Sequence, residues 1–127
     1  MSERRPPARE PTIRTVPMPA DANSNGDIFG GWILSHMDIA GGVVGAERSK
    51  GRIATVAIDA MTFHRPVNVG DVVSVYAEVV RVGRTSMDVH IETWVRRLRT
   101  GENLLVTEGK FIFVAIDDDK KPRAVDG

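Results

Sequence analysis

The sequence has no cysteine, no excess of charge of either sign and no long apolar run near its start. Without cysteine the chain forms no disulfide, thiolate metal site or cysteine nucleophile, which favours a cytoplasmic protein. Lys and Arg together number 17, and Asp and Glu together also number 17, so the formal net charge is zero. Binding of nucleic acid or an anionic membrane by overall charge is therefore not expected. The charged, proline-rich first eleven residues resemble neither a signal peptide nor a membrane anchor.

The 127 residues are enough for one domain and few for two. Five of the seven prolines lie within the first 19 residues, which predicts a disordered tail over residues 1–11. The charge run that begins at Asp117 has nothing to bury and predicts a second disordered tail over residues 118–127. A single domain is therefore predicted over residues 12–117.

The pattern inside this domain predicts one helix and several strands. Residues 28–46 are apolar on most of the helix circumference and contain no proline, as in a helix buried nearly all round. From Ile53 onward the apolar residues alternate, which predicts strands over 55–63, 73–79, 87–96 and 104–116, with a short edge strand over 13–16. Because their connections are short, the strands pair antiparallel. The predicted fold class is α+β, with a long antiparallel sheet curled round one buried helix.

Asp38 is the residue of the helix that most needs an explanation. It lies between Met37 and Ile39, where an unpaired buried carboxylate is costly. The positions that share its face of the helix are Leu34, Gly41, Gly42 and Gly45. Since three of these four have no side chain, another helix or a ligand can approach closely. Asp38 is either a structural acid bonded to a neighbouring strand or a catalytic acid.

The predicted start of the helix contains a second candidate feature, the pair Gly30 and Gly31. The first turn of a helix has unpaired N–H groups and a positive dipole end, so glycine there lets a substrate oxygen reach them, as in an oxyanion hole. Alternatively, the two glycines allow tight packing of the helix on the sheet. Asp27 is most simply the N-cap, with a polar contact to substrate as the other interpretation. Asn25 is most simply a turn residue.

The remaining polar motifs are less specific. His36 has apolar neighbours and is interpreted as a packed or interface residue, while His64 and His90 are isolated. The spacing of the three histidines does not match a zinc site, so no metal site is predicted. A turn formed by Gly83, Arg84, Thr85 and Ser86 offers a cation, hydroxyls and flexible backbone, which suits either phosphate binding or an ordinary solvated hairpin.

Three stretches together resemble the hotdog-fold acyl-CoA thioesterases of the YciA type. They are MPADANSNGDIFGGWILSHMD at residues 18–38, FHRPVNVGD at 63–71 and VGRTS at 82–86, and the resemblance extends over residues 12–118. It implies a helix wrapped in an antiparallel sheet, dimers that share a continuous sheet, and a homohexamer built as a trimer of dimers. It also implies hydrolysis of the acyl-CoA thioester to a free acid and CoA, without a cofactor beyond the CoA of the substrate.

The resemblance also implies roles for individual residues. The acidic catalytic residue of the family falls on Asp38, and its polarising helix-start amide falls at Gly30–Gly31. Asp27 stands where related two-domain thioesterases carry asparagine. The turn over residues 83–86, together with Asn25, falls where the family contacts the nucleotide or pantetheine of CoA.

Helix geometry adds a constraint on how these residues combine. Gly30 and Asp38 are eight residues apart, so on one helix they are separated by roughly 12 Å. One thioester carbonyl cannot touch both, and a joint site needs Gly30–Gly31 of one subunit and Asp38 of its partner. Whether Asp38 acts as a general base or as a nucleophile stays open, and a non-catalytic acyl-CoA-binding module is the alternative function.

Overall fold

The computed structural model describes residues 4–127, which form one helix on one antiparallel sheet. Strand β1 (Ile13–Thr15) is followed by a short 3-10 helix (Pro19–Asp21) and then by α1 (Gly30–Ser49). Four long strands complete the chain: β2 (Ile53–Phe63), β3 (Val72–Val82), β4 (Ser86–Arg96) and β5 (Asn103–Ala115). The strand order is β1-β3-β4-β5-β2, with every neighbouring pair antiparallel. The predicted α+β hotdog class is confirmed.

The core lies between α1 and the inner face of the sheet. Strand β4 shows the alternation most clearly, since its odd-numbered residues are fully buried and its even-numbered residues from Ser86 to Glu92 are only partly buried. The inward residues of β4 are Met87, Val89, Ile91, Thr93 and Val95. Fully burying one such apolar side chain stabilises the fold by about 1.5–3 kcal/mol. Packing against the sheet thus holds a helix that its glycines alone would weaken.

Helix α1 begins two residues later than the sequence predicts. The N–H of Ile28 donates to the carbonyl of Val67 at 2.9 Å, which keeps Ile28 in an extended conformation before the helix. Phe29 is the N-cap residue and provides no side-chain cap. The interpretation of Asp27 as the N-cap is therefore wrong. At the other end, Lys50 adopts a left-handed conformation with φ of 57° and ends the helix.

The glycine stripe of α1 packs against its own sheet. A Cβ atom on Gly41 would lie 2.7 Å from the Phe113 ring and 2.8 Å from Ile91, and Gly45 faces Met87 across 3.7 Å. The expectation that this stripe is a bare strip for another helix or a ligand is therefore wrong for Gly41 and Gly45. Their missing side chains instead let α1 approach β4 and β5 closely.

The chain ends differ from simple tails. Residues 4–11 have no helix or strand, but Arg4 and Arg9 contact the outer face of the sheet; residues 1–3 of the predicted first tail lie outside the described residues. At the other end, the expectation of a free tail over 118–127 differs from the structure. Val125 is only 5% exposed, and the Arg123 side chain donates to the Ser49 and Ile116 carbonyls. A local charge pattern does not predict such contacts, because they join residues that are far apart in the sequence.

Candidate active site

Asp38 lies in the third turn of α1 and points toward β2. Its carboxylate is half-buried and accepts a hydrogen bond from the Thr55 hydroxyl, with 2.6 Å between Thr55 Oγ1 and Asp38 Oδ1. Within residues 4–127, no Lys, Arg or His side chain forms an ion pair with Asp38. A carboxylate with one hydroxyl donor and no cation keeps acceptor capacity for a water molecule or substrate. Thr55 had no role in the sequence analysis, because the contact joins residues on two different elements.

The start of α1 offers backbone donors beside a cavity. Trp32 and Ile33 donate their N–H groups to the Phe29 carbonyl, whereas those of Gly30 and Gly31 have no backbone acceptor in the described part of the chain. A Cβ atom on Gly31 would meet nothing within 4 Å. Together with the positive end of the helix dipole, these N–H groups can stabilise an oxygen that develops negative charge.

The adjoining cavity has a volume of about 370 Å³ and opens between the helix start and the end of β2. Its lining includes Ile28, Gly30, Phe63, His64 and Val67. Most of these residues are apolar, so the cavity suits an acyl or thioester group better than a strongly hydrated one.

A buried ion pair fixes the loop that lines this cavity. Asp71 is 3% exposed and binds the Arg97 guanidinium, which also donates to the Pro66 carbonyl at 3.1 Å. The second role of the Asp71 carboxylate is to accept the Asn68 N–H at 2.8 Å. These contacts of Asp71 and Arg97 hold the loop in position. Removing either residue would leave an uncompensated buried charge. In the sequence Asp71 stands out only as the last residue of the stretch 63–71, and no local pattern marks Arg97.

The turn before α1 is organised by Asn23. Its side-chain oxygen accepts the N–H groups of Asn25 at 2.9 Å and Asp27 at 3.2 Å. Asp27 also forms an isolated bridge with Asn68, which ties this turn to the cavity loop. Asn25 is exposed at the tip of the turn. Both predicted residues therefore lie near the helix start, on a turn held by Asn23.

The predicted phosphate-binding turn lies at the opposite end of the subunit from Gly30. Gly83 donates its N–H to the Ser86 carbonyl at 2.8 Å and closes the β3–β4 hairpin. The carbonyls of Thr85 and Arg84 accept the N–H groups of Ala115 and Val125, each at 2.8 Å. The turn is therefore anchored to the chain end beside the C-terminus of α1. Within one subunit, Gly83–Ser86 and Gly30–Gly31 do not meet.

Two histidines that are isolated in the sequence come together on the outer face of the sheet. His64 Nε2 lies 3.7 Å from Glu108, and His90 Nε2 lies 3.9 Å from the same carboxylate. The interpretation of these histidines as isolated is wrong, because the pairing of β2, β4 and β5 brings both of them within 4 Å of Glu108. His36, in contrast, packs its ring on Trp32 and bonds the Trp32 carbonyl at 2.8 Å, as a packed residue does.

Comparison with known proteins identifies the family. A family model named "Thioesterase superfamily" matches residues 25–102. The acyl-CoA thioester hydrolase YciA of Salmonella typhimurium is 50% identical over 120 residues, which cover 92% of this chain and 90% of that protein. The chain belongs to the thioesterase superfamily. The YciA protein of Escherichia coli K12 is 48% identical to this thioesterase over 122 residues, or 94% of this chain and 92% of the relative.

Solved thioesterase structures agree in fold over nearly the whole chain. The hexameric thioesterase y2039 from Yersinia pestis has a TM-score of 0.89 and 47% identity, and the match covers 95% of this chain and 98% of that one. HI0827, a hexameric broad specificity acyl-coenzyme A thioesterase, has a TM-score of 0.89 and 41% identity, with coverage of 97% and 85%. The predicted membership of the YciA-type family is confirmed.

Proposed function

We propose that this thioesterase hydrolyses acyl-CoA to a free acid and CoA, with Asp38 and the helix-start N–H groups as its catalytic groups. The observation that carries the proposal is the Asp38 carboxylate, which has a hydroxyl partner and no cation and faces the open edge strand β2. The helix-start donors of Gly30 and Gly31 lie roughly 12 Å away along the same helix. The two groups therefore meet one thioester only across two subunits.

The surface around Asp38 supports a dimer as the unit of the site. Strand β2 is an edge strand, and an unpaired edge is a template for pairing with another chain. It exposes Val56 by 58% and Ile58 by 47%, and the adjoining helix face exposes Ile39 by 55%. A second copy that pairs along β2 would continue the sheet and cover these side chains. The relatives named above as hexameric support a trimer of such dimers.

In the proposed reaction, the Gly30 and Gly31 N–H groups of one subunit bind the thioester carbonyl oxygen. Asp38 of the other subunit takes a proton from water, and the water oxygen attacks the carbonyl carbon. The tetrahedral intermediate then breaks its C–S bond, and the CoA thiolate leaves and takes up the proton. Alternatively, the Asp38 oxygen attacks first and forms an anhydride that water opens. Both routes balance with water as the second substrate, so neither needs a cofactor.

CoA recognition is assigned to the two turns. Arg84, Thr85 and Ser86 offer a cation and two hydroxyls for phosphate or pantetheine oxygens, beside the flexible Gly83. Asn25 and Asp27 lie next to the helix start, where they can contact the substrate near the thioester.

Within residues 4–127, no helix is long and apolar enough to cross a membrane. The cytoplasmic location indicated by the cysteine-free sequence stays a prediction.

The decisive experiment measures thiol release from acyl-CoA with a thiol reagent, over a series of acyl lengths. The wild-type protein should release CoA, and Asp38→Asn should lower kcat by about 100-fold or more because the amide cannot accept the proton. Glu47→Gln on the exposed last turns of the same helix is the matched control and should keep wild-type turnover. Near-normal turnover of Asp38→Asn would remove Asp38 from the reaction, and CoA binding without thiol release would favour a binding module.

A further inference from the structure

A cluster of metal-ligating side chains lies on the outer face of the sheet, on the side away from α1. His90 and Glu92 come from β4 and Glu108 from β5, and one ligand atom from each lies within 4.8 Å of the others. His90 Nε2 is 3.0 Å from Glu92 Oε2 and 3.9 Å from Glu108 Oε1. Neither the proposed reaction nor the CoA contacts use these residues.

The two carboxylates of the cluster repel each other unless a cation lies beside them. Glu92 and Glu108 are direct partners in the β4–β5 ladder, and like charges at opposed positions destabilise a sheet. Their side chains are only 15% and 25% exposed, which limits screening by solvent. The Trp94 indole donates to Glu92 Oε1 at 2.9 Å and holds that carboxylate toward the cluster. Such an outer partner orients a ligand before an ion binds.

Arg4 provides the cation in this structure. Its guanidinium hydrogen-bonds Glu108 and lies 3.5 Å from Glu92 Oε1. However, Arg4 belongs to a segment without helix or strand, and its side chain is half exposed. Ordering a long side chain on such a segment costs entropy, so another cation can replace it.

We propose that His90, Glu92 and Glu108 form a binding site for a divalent transition-metal ion of the Zn²⁺ class, for which Arg4 competes. One imidazole and two carboxylates leave a fourth position for water, and the imidazole favours Zn²⁺ over Mg²⁺. Tetrahedral zinc with bonds of about 2.0–2.1 Å places its ligand atoms roughly 3.4 Å apart. The His90–Glu92 pair at 3.0 Å is already close enough, and the His90–Glu108 pair at 3.9 Å must close by about half an ångström. Rotation about the side-chain torsions of Glu92 and Glu108 allows this movement once Arg4 leaves.

The neighbouring charges fit a site that is open to solvent on one side. His64 Nε2 is 3.7 Å from Glu108 Oε2 and can replace the water as a fourth ligand. Lys110 lies opposite His90 in the ladder, but its ammonium is directed to Asp59 and Asp88, at 3.7 and 4.0 Å. Lys110 is therefore paired with other carboxylates.

Titration of the metal-free, full-length protein with Zn²⁺ by calorimetry tests the proposal. We expect one saturable ion per chain, and His90→Gln and Glu108→Gln should each weaken binding by roughly tenfold or more. Arg4→Ala should strengthen binding, because it removes the competing cation. Glu47→Gln, which removes a carboxylate elsewhere, should leave Zn²⁺ affinity unchanged.

Two results would overturn the proposal. One is the absence of saturable binding in both the wild-type protein and Arg4→Ala, which would leave the cluster as an ion-pair network only. The other is binding that persists in His90→Gln or Glu108→Gln, which would place the ion elsewhere. Circular dichroism checks that each variant is folded. If either His90→Gln or Glu108→Gln is unfolded, the Zn²⁺ affinity of the other variant still tests the site. The readout is metal affinity, so it is independent of thioester hydrolysis.

Discussion

At the scale of single residues, Thr55 holds the carboxylate on which the proposed reaction depends. Its hydroxyl donates to Asp38 across 2.6 Å, and a hydrogen bond of this kind contributes about 1 kcal/mol. Thr55→Val should therefore lower kcat by about fivefold, much less than Asp38→Asn. Thr55→Ser retains the hydroxyl and should recover most of the turnover. Thiol release measures both, and equal kcat values for the Val and Ser variants would contradict this role.

Alanine substitutions at two adjacent glycines of α1 allow a matched comparison of the free energy of unfolding. In Gly41→Ala the new methyl group would lie 2.7 Å from the Phe113 ring, whereas in Gly42→Ala its nearest neighbour, Ile53, is 3.7 Å away. Overpacking should make Gly41→Ala less stable by about 1–3 kcal/mol. Better helix propensity should make Gly42→Ala neutral or more stable by up to about 1 kcal/mol.

Chemical denaturation at equal protein concentration compares these two glycine variants. Equal free energies of unfolding would show that helix propensity outweighs packing at Gly41. The protein concentration must be fixed because oligomer formation raises apparent stability.

At the scale of secondary-structure elements, the chain end holds both the helix terminus and the proposed CoA turn. The Arg123 guanidinium donates to the carbonyls of Ser49, Arg52 and Ile116, while Val125 donates its N–H to Arg84. Arg123→Ala should lower the melting temperature and raise the KM for acyl-CoA more than it lowers kcat, since Asp38 lies elsewhere on α1.

Arg123→Lys is the informative comparison for this segment. A lysine keeps the charge but lacks the planar fork of donors, so it should restore only part of the stability. A melting temperature that is unchanged in both variants would show that the segment does not hold the helix end. An unchanged KM alongside a lowered melting temperature would confine its role to stability.

Features set by neighbouring residues could be predicted from the sequence, whereas features set by contacts between distant residues could not. Period-two alternation predicted β4 within one residue at each end, because local pattern and burial agree along that strand. The start of α1 was placed too early, because the Ile28 N–H is taken by a distant carbonyl at Val67. Asp38 stood out as an acid within an apolar helix, but its Thr55 partner depends on packing between two elements. The meeting of His90 and Glu108 likewise depends on strand pairing.

At the scale of the whole molecule, the proposed site exists only in an assembly, and mixed dimers test this. A chain with Asp38→Asn keeps its helix-start donors, and a chain with Gly31→Val keeps its Asp38. A Cβ atom at Gly31 would meet nothing within 4 Å in its own subunit, and the branched side chain of valine would block the carbonyl site. In a mixed dimer, the donors of the first chain and the Asp38 of the second form one intact site, while the other site carries both defects.

Random exchange of subunits should therefore restore about a quarter of wild-type turnover, since half of the dimers are mixed and each has one intact site of two. Co-expression or joint refolding of the two variants followed by thiol-release assays measures this recovery. Pairing the Asp38→Asn chain with a chain that carries both substitutions leaves every site defective and should give no recovery. If the first mixture also stays inactive while its dimers form normally, the two catalytic groups do not come from different subunits.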